Sequence, residues 1–185
     1  GSYNVAVGGE ALELGTTASS NVALGHDALR NYQGNENVAV GLQALTAATT
    51  GYSNVAVGYQ SNKNLTTGDS NTSVGYKAML STTTGTNNVA VGHQALYANT
   101  TYSNHTAVGL QALENCATGQ ENSAFGSNAM GTMTSGNYND AFGRDALGSG
   151  TGFGQCCAFG NSALKMNAGD NNTAMGFVAL GANTT

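Results

Sequence analysis

Asn37-Val-Ala-Val-Gly41 recurs unchanged as Asn54-Val-Ala-Val-Gly58 and again inside Asn87-Asn-Val-Ala-Val-Gly-His-Gln-Ala-Leu96. Working outward from these stretches, the same pattern starts at Asn4, Asn21, Asn37, Asn54, Asn71, Asn88, His105, Asn122, Asn139, Cys156 and Asn172. The step is 17 residues except for two steps of 16. A fixed period of this length is the mark of a stacked-repeat architecture, in which each unit buries its apolar side against the next.

The slots within the repeat are strict. Four residues after each start stands glycine: Gly8, Gly25, Gly41, Gly58, Gly75, Gly92, Gly109, Gly126, Gly143, Gly160 and Gly176. A residue without a side chain at one fixed place implies a corner with positive φ or a close backbone approach. Two residues after the start the slot is Ala, except Ser73, which predicts a contact too tight for a larger side chain, and a place where another backbone could approach. The slot before the glycine is always apolar, from Val7 to Met175. Seven and eight residues after the start stand Ala and then Leu or Met, except Ser61 and Asn62.

These slots predict a parallel β-solenoid of eleven coils: a strand, a glycine corner, a second short strand through Ala-Leu, and a polar turn such as Thr49-Thr-Gly51, Thr66-Thr-Gly68 or Thr83-Thr-Gly85, with glycine supplying a positive φ. Val, Ala and Leu are expected to form a thin interior. Coils about 4.8 Å apart give a rod roughly 50 Å long, in which the start-slot Asn side chains stack in a ladder. A single rod of small apolar residues buries little area, so side-by-side packing into a closed oligomer such as a trimer is expected.

Composition narrows function. Of 185 residues, 8% are charged and 40% hydrophobic, with no proline and a net charge of −5. The acidic balance without a basic patch argues against nucleic acid or an anionic membrane as partner. No apolar stretch is long enough to span a bilayer, so no membrane insertion is expected. Gly1 and Ser2 read as a cloning remnant, and residues 3–185 as one repeat domain, a fragment of a longer protein. Cys116, Cys156 and Cys157 lack the spacing of a metal or redox pair and read as free thiols made in a reducing compartment.

The repeats quoted above, with Asn171-Asn-Thr-Ala-Met-Gly176, resemble two related groups across residues 3–180. One is the head repeat of trimeric autotransporter adhesins, which implies a left-handed parallel β-roll, intertwined or side by side in a homotrimer. The other is the repeat of phage and algal-virus tail-fibre proteins, often placed upstream of a self-cleaving chaperone domain; it is the closer in its Ala-Leu and Thr-Gly-x-x-Asn-x-Ala elements. The 17-residue period and the cysteines favour the viral fibre. The resemblance implies a non-enzymatic fibre or spike segment, a rigid trimeric shaft or head on the virion surface, made in the host cytoplasm and engaged in host attachment. The alternative is an adhesin head on a bacterial surface.

No convergent set of titratable residues points to catalysis, and no cofactor or resident metal is expected. His26 and His93 share a variable slot but lie four coils, about 19 Å, apart. His105 and Cys156 interrupt the Asn ladder; at a threefold axis either could form a ring of three, His105 for a metal or anion. Gly148-Ser-Gly-Thr-Gly-Phe-Gly154 lacks the ending of a phosphate loop and reads as a variant turn. Tyr52, Tyr59, Tyr76, Tyr97 and Tyr102 are candidate contacts for a host glycan or protein receptor, as surface aromatics can stack on sugar rings. A threonine column at Thr16, Thr49, Thr66, Thr83, Thr100, Thr134 and Thr151 raises an ice-binding alternative. Against it, neighbours in a strand point to opposite faces, so paired threonines would not share one surface.

Overall fold

The computed structural model describes residues 1–47 and 49–183. Each repeat contributes one three-residue strand: β1 (Val5–Val7), β2 (Val22–Leu24), β3 (Val38–Val40), β4 (Val55–Val57), β5 (Thr72–Val74), β6 (Val89–Val91), β7 (Thr106–Val108), β8 (Ser123–Phe125), β9 (Asp140–Phe142), β10 (Cys157–Phe159) and β11 (Thr173–Met175). They form one parallel sheet in chain order, with like slots paired, as in Ala39 against Ala56. The fold is therefore the expected all-β parallel solenoid. The two 16-residue steps leave the register intact, Val22 facing Val38 and Cys157 facing Thr173.

The corner glycines behave as the spacing demands. Gly8 through Gly176 hold φ between 127° and 141°. A Cβ on Gly41 would fall 2.8 Å from the carbonyl carbon of Gly58 in the next coil. The Thr-Thr-Gly turns differ from expectation. Gly51, Gly68 and Gly85 do not take positive φ, which falls instead on Ser53, Ser70 and Asn87 just before the next start. Glycine is needed there because a side chain would strike the following coil's carbonyl oxygen.

The Ala-Leu segment is not a second strand. In every repeat the sixth and eighth residues after the start have positive φ, for example Gln43 at 58° and Leu45 at 50°. The chain curls through a tight turn in which Ala44 N donates to Gly41 O, while Leu45 N donates to Ser61 O in the next coil. Leucine rarely adopts this conformation. Coil-to-coil hydrogen bonds and full burial of Leu29, Leu45, Leu96, Leu113, Leu147 and Leu164 hold it there.

The interior also departs from expectation. Strand residues alternate in direction, and in β2 to β11 the central residue alone is buried. The tight Ala contact is thus inside the coil, against the Ala-Leu turn, and no second chain could reach it. The flanking Val, Leu and Phe side chains point outward. The core is filled instead by both Ala slots, the Leu or Met slot, and a variable slot holding Tyr32, Leu65, Cys116 and Met133. This core falls into two clusters, one ending at Leu65 and the other starting at Ala78.

Candidate functional site

The start-slot asparagines form a continuous interior ladder. Asn54 N and Nδ2 both donate to Asn37 Oδ1, at 2.8 and 3.2 Å, and Nδ2 also donates to Gly68 O across the coil. Asn71 repeats this against Asn54 and Gly85. Such an amide ties its coil to the previous one and pins the polar turn, which explains why this buried slot is Asn in nine of eleven repeats.

His105 reproduces the asparagine chemistry. Its backbone N donates to Asn88 Oδ1, its Nδ1 accepts from Asn122 N at 3.4 Å, and its Nε2 lies 3.0 Å from Gly119 O. The Nδ1 bond assigns the proton to Nε2, so Nδ1 replaces the amide oxygen and Nε2–H the amide nitrogen. Burial lowers its pKa to about 4, keeping the ring neutral. The expected rings at a threefold axis are ruled out by placement: His105 is fully buried inside its own coil with both nitrogens engaged. Cys156 is likewise interior, its Sγ accepting from Asn167 Nδ2 at 3.3 Å and approaching Gly169 O. All three cysteines are free thiols. Burial pushes the Cys116 thiol up to about 12, which removes it from thiolate chemistry.

The five tyrosines do not form one site. Tyr59 and Tyr76, in the slot after the corner, stack at 5.4 Å, and His93 continues the stack at 4.8 Å. Lys77 Nζ sits 5.1 Å from the Tyr76 ring centroid, and its interaction with Tyr76 is the main cause of its raised pKa, with Tyr97 and Tyr59 adding to it. Tyr52 and Tyr102 lie instead in the polar turns. The stacked rings turn their faces to one another, leaving edges and hydroxyls outward. His26 stands apart, paired with Asp27 at 3.2 Å.

The threonine pairs lie in a turn and not in a strand, so strand alternation does not decide which way they face. Thr49, Thr66 and Thr83 hydroxyls donate to the carbonyls of Thr66, Thr83 and Thr100 in the next coil. Their exposed neighbours Thr50, Thr67 and Thr84 form a second column.

Among the described residues no three of His, Cys, Asp and Glu come together as a metal site, and no helix is long and apolar enough to cross a membrane. No known family, curated protein or solved structure matches the chain. Functional reading therefore rests on the surface itself.

Two surface features were not anticipated. The first is the outer face of the sheet, where the residues flanking each central Ala form two columns along the rod. One runs Val7, Leu24, Val40, Val57, Val74, Val91, Val108, Phe125, Phe142, Phe159 and Met175. Its phenylalanines stack at 4.7 and 4.4 Å. The uninterrupted apolar slot signalled it, but was assigned to the wrong side of the strand. The second is a concavity in the polar turns of the eighth and ninth coils, closed by Asp170 of the tenth.

Proposed function

We propose that the chain is a non-enzymatic structural and adhesive segment of a phage-like viral tail fibre or spike, forming a rigid homotrimeric shaft or head on the virion surface. The outer sheet face carries this reading. It is about 10 Å wide and roughly 50 Å long, with one column apolar from Val7 to Met175 and the other broken by Thr72, Thr106, Ser123, Asp140 and Thr173, so the exposed apolar stripe is about half of that footprint. Val91 and Phe159 are 37% and 40% exposed although they belong to the one continuous apolar column, Val7 to Met175. The columns repeat with the coil spacing, so parallel copies can interlock side chain for side chain, and an odd closed ring of rods shields every such face from water. Stacked short strands cross-linked by the Asn ladder resist bending, which suits a load-carrying fibre.

The test is sedimentation equilibrium of the purified chain and of Val57→Asp and Val91→Asp variants. A threefold mass for the parent, lost in the variants while the far-ultraviolet β signal persists, is the expected outcome. A stable monomer for the parent overturns the trimer.

One observation favours a second reading, ice binding: Thr50, Thr67 and Thr84 are exposed in a regular column whose hydroxyls make no hydrogen bond among the described residues. Thermal hysteresis of a dilute solution would support it, and its absence would end it.

A further inference from the structure

The concavity interrupts an otherwise regular surface, and its origin is visible slot by slot. The position two residues before each start usually carries a side chain whose oxygen accepts from the backbone N of the same slot in the preceding coil. Asn35 accepts from Ser19 N, Asp69 from Tyr52 N, Asn137 from Gln120 N and Asp170 from Gly154 N. In the ninth coil that slot is Gly154, between Asn137 below and Asp170 above. Two residues earlier, where other coils hold the exposed second threonine, stands Gly152. This is the one coil in which both slots are glycine. Two side chains are therefore missing side by side, and an open concavity of about 470 Å³ takes their place.

Its walls keep their polar groups free. Tyr138, 51% exposed, stands on one side. Asn137 uses its Oδ1 on Gln120 N, which leaves Nδ2 available; Asp170 uses Oδ1 on Gly154 N, which leaves Oδ2 available. The Ser135 hydroxyl, the Tyr138 hydroxyl and the Gln155 side-chain amide make no hydrogen bond among the described residues, while Gln155 N donates to Asn137 O. The set contains donors, acceptors, one exposed aromatic ring (Phe153 also lines the concavity but is buried) and one carboxylate, with no lysine or arginine.

We infer that this concavity is a binding site for a neutral saccharide, its ring packed on Tyr138 and its hydroxyls held by Asn137, Gln155 and Asp170. The absence of a cation among the lining residues disfavours phosphate, sulfate or a carboxylated sugar, which would meet Asp170 unscreened. One free carboxylate oxygen is too little for a hard cation, which takes six or more oxygens. A hydroxyl-rich ring needs what is present: an apolar plane and several planar polar groups that both donate and accept. A site that occurs once can also discriminate in a way that eleven copies of one turn cannot. The inference rests on the host-attachment reading for its biological sense, but its chemistry does not depend on the trimer.

The experiment is saturation-transfer NMR of the full chain with glucose, galactose, mannose and N-acetylglucosamine, with sialic acid as the anionic control. At least one neutral sugar is expected to receive saturation, and sialic acid none. Tyr138→Ala should weaken that sugar's Kd about tenfold. Gly152→Asn refills the concavity at a φ of 70° that asparagine tolerates, and should abolish the signal. Leu42→Ala, at an exposed position outside the concavity, should leave it intact, and the melting curve of each variant shows whether it is folded. No transfer to any neutral sugar, transfer that survives both pocket variants, or equal transfer to sialic acid overturns the assignment. A monomeric chain that still binds sugar through Tyr138 would sink the fibre reading and leave this one standing.

Discussion

Ser61 and Ser73 meet inside the fourth and fifth coils, the Ser61 hydroxyl donating to Ser73 Oγ at 2.7 Å and lying 3.1 Å from Ser73 O. Ser73 Oγ in turn lies 3.2 Å from Val55 O. These are the departures from alanine at the two Ala slots of the repeat, and each exists beside the other. Ser61→Ala or Ser73→Ala should each cost about 1 kcal/mol by stranding a buried hydroxyl or carbonyl. The double replacement restores the ordinary Ala-Ala contact and should cost less than the sum. A double-mutant cycle in urea showing strict additivity would contradict the pairing.

Asn62 stands where other repeats bury Leu or Met, and neither its Nδ2 nor its Oδ1 finds a partner. An unsatisfied buried amide costs roughly 1–3 kcal/mol. Leu and Met hold the same backbone conformation in the neighbouring coils, and leucine's poorer fit to a positive φ in Asn62→Leu is outweighed by loss of the unsatisfied amide and burial of an apolar side chain. The substitution should raise Tm by several degrees, measured by circular dichroism; an unchanged or lowered Tm would show that the amide is satisfied in solution.

His105 makes stability depend on pH with a defined sign. Its folded pKa, about 4, lies below its ordinary value of 6.5. The unfolded chain therefore binds the extra proton first as pH falls. The contribution of the neutral ring is complete above about pH 6.5, declines between there and about pH 4, and is flat below. The full swing is on the order of 3 kcal/mol. His105→Asn, which restores the ladder, should remove this part of the acid sensitivity, and a Tm-against-pH profile identical to that of the parent would refute the assignment.

Gly58 sits at φ 130°, where a Cβ would lie 2.8 Å from the Gly75 carbonyl carbon. Gly58→Ala should destabilise by about 3 kcal/mol or more, since strain and clash act together and the backbone on both sides is bonded to neighbouring coils. Ala56, two residues earlier, should tolerate Gly far better, with a loss nearer 1 kcal/mol. Comparing the two variants by urea unfolding separates corner geometry from loss of side-chain volume.

The period carried the fold, because one-residue gaps can be absorbed by turns while a strict glycine and an asparagine kept in nine of eleven starts cannot be coincidental. The corner at Gly41 and the ladder through Asn37 and Asn54 followed from chemistry that those residue types impose. What the residues did not reveal was direction. Val40 and Ala39 are both apolar neighbours, and alternation alone does not say which of them faces inward; the small side chain won because the Ala-Leu turn leaves no room for more. Leu45 was read as a strand residue since leucine almost never signals a left-handed backbone. The concavity near Gly154 was visible only as two glycines in the same coil, a coincidence that has meaning once Gly152 and Gly154 are known to share an edge with Asn137 and Asp170.

Ser61, Asn62 and Ser73 lie where one apolar cluster ends at Leu65 and the next begins at Ala78. Across that seam the asparagine ladder and the sheet continue, Asn71 to Asn54 and Thr72 to Val55, while the greasy filling does not. The rod is thus two springs in series joined by a brittle washer. Pulled along its axis, it should part between the fourth and fifth coils first, while the seven coils beyond keep their shape.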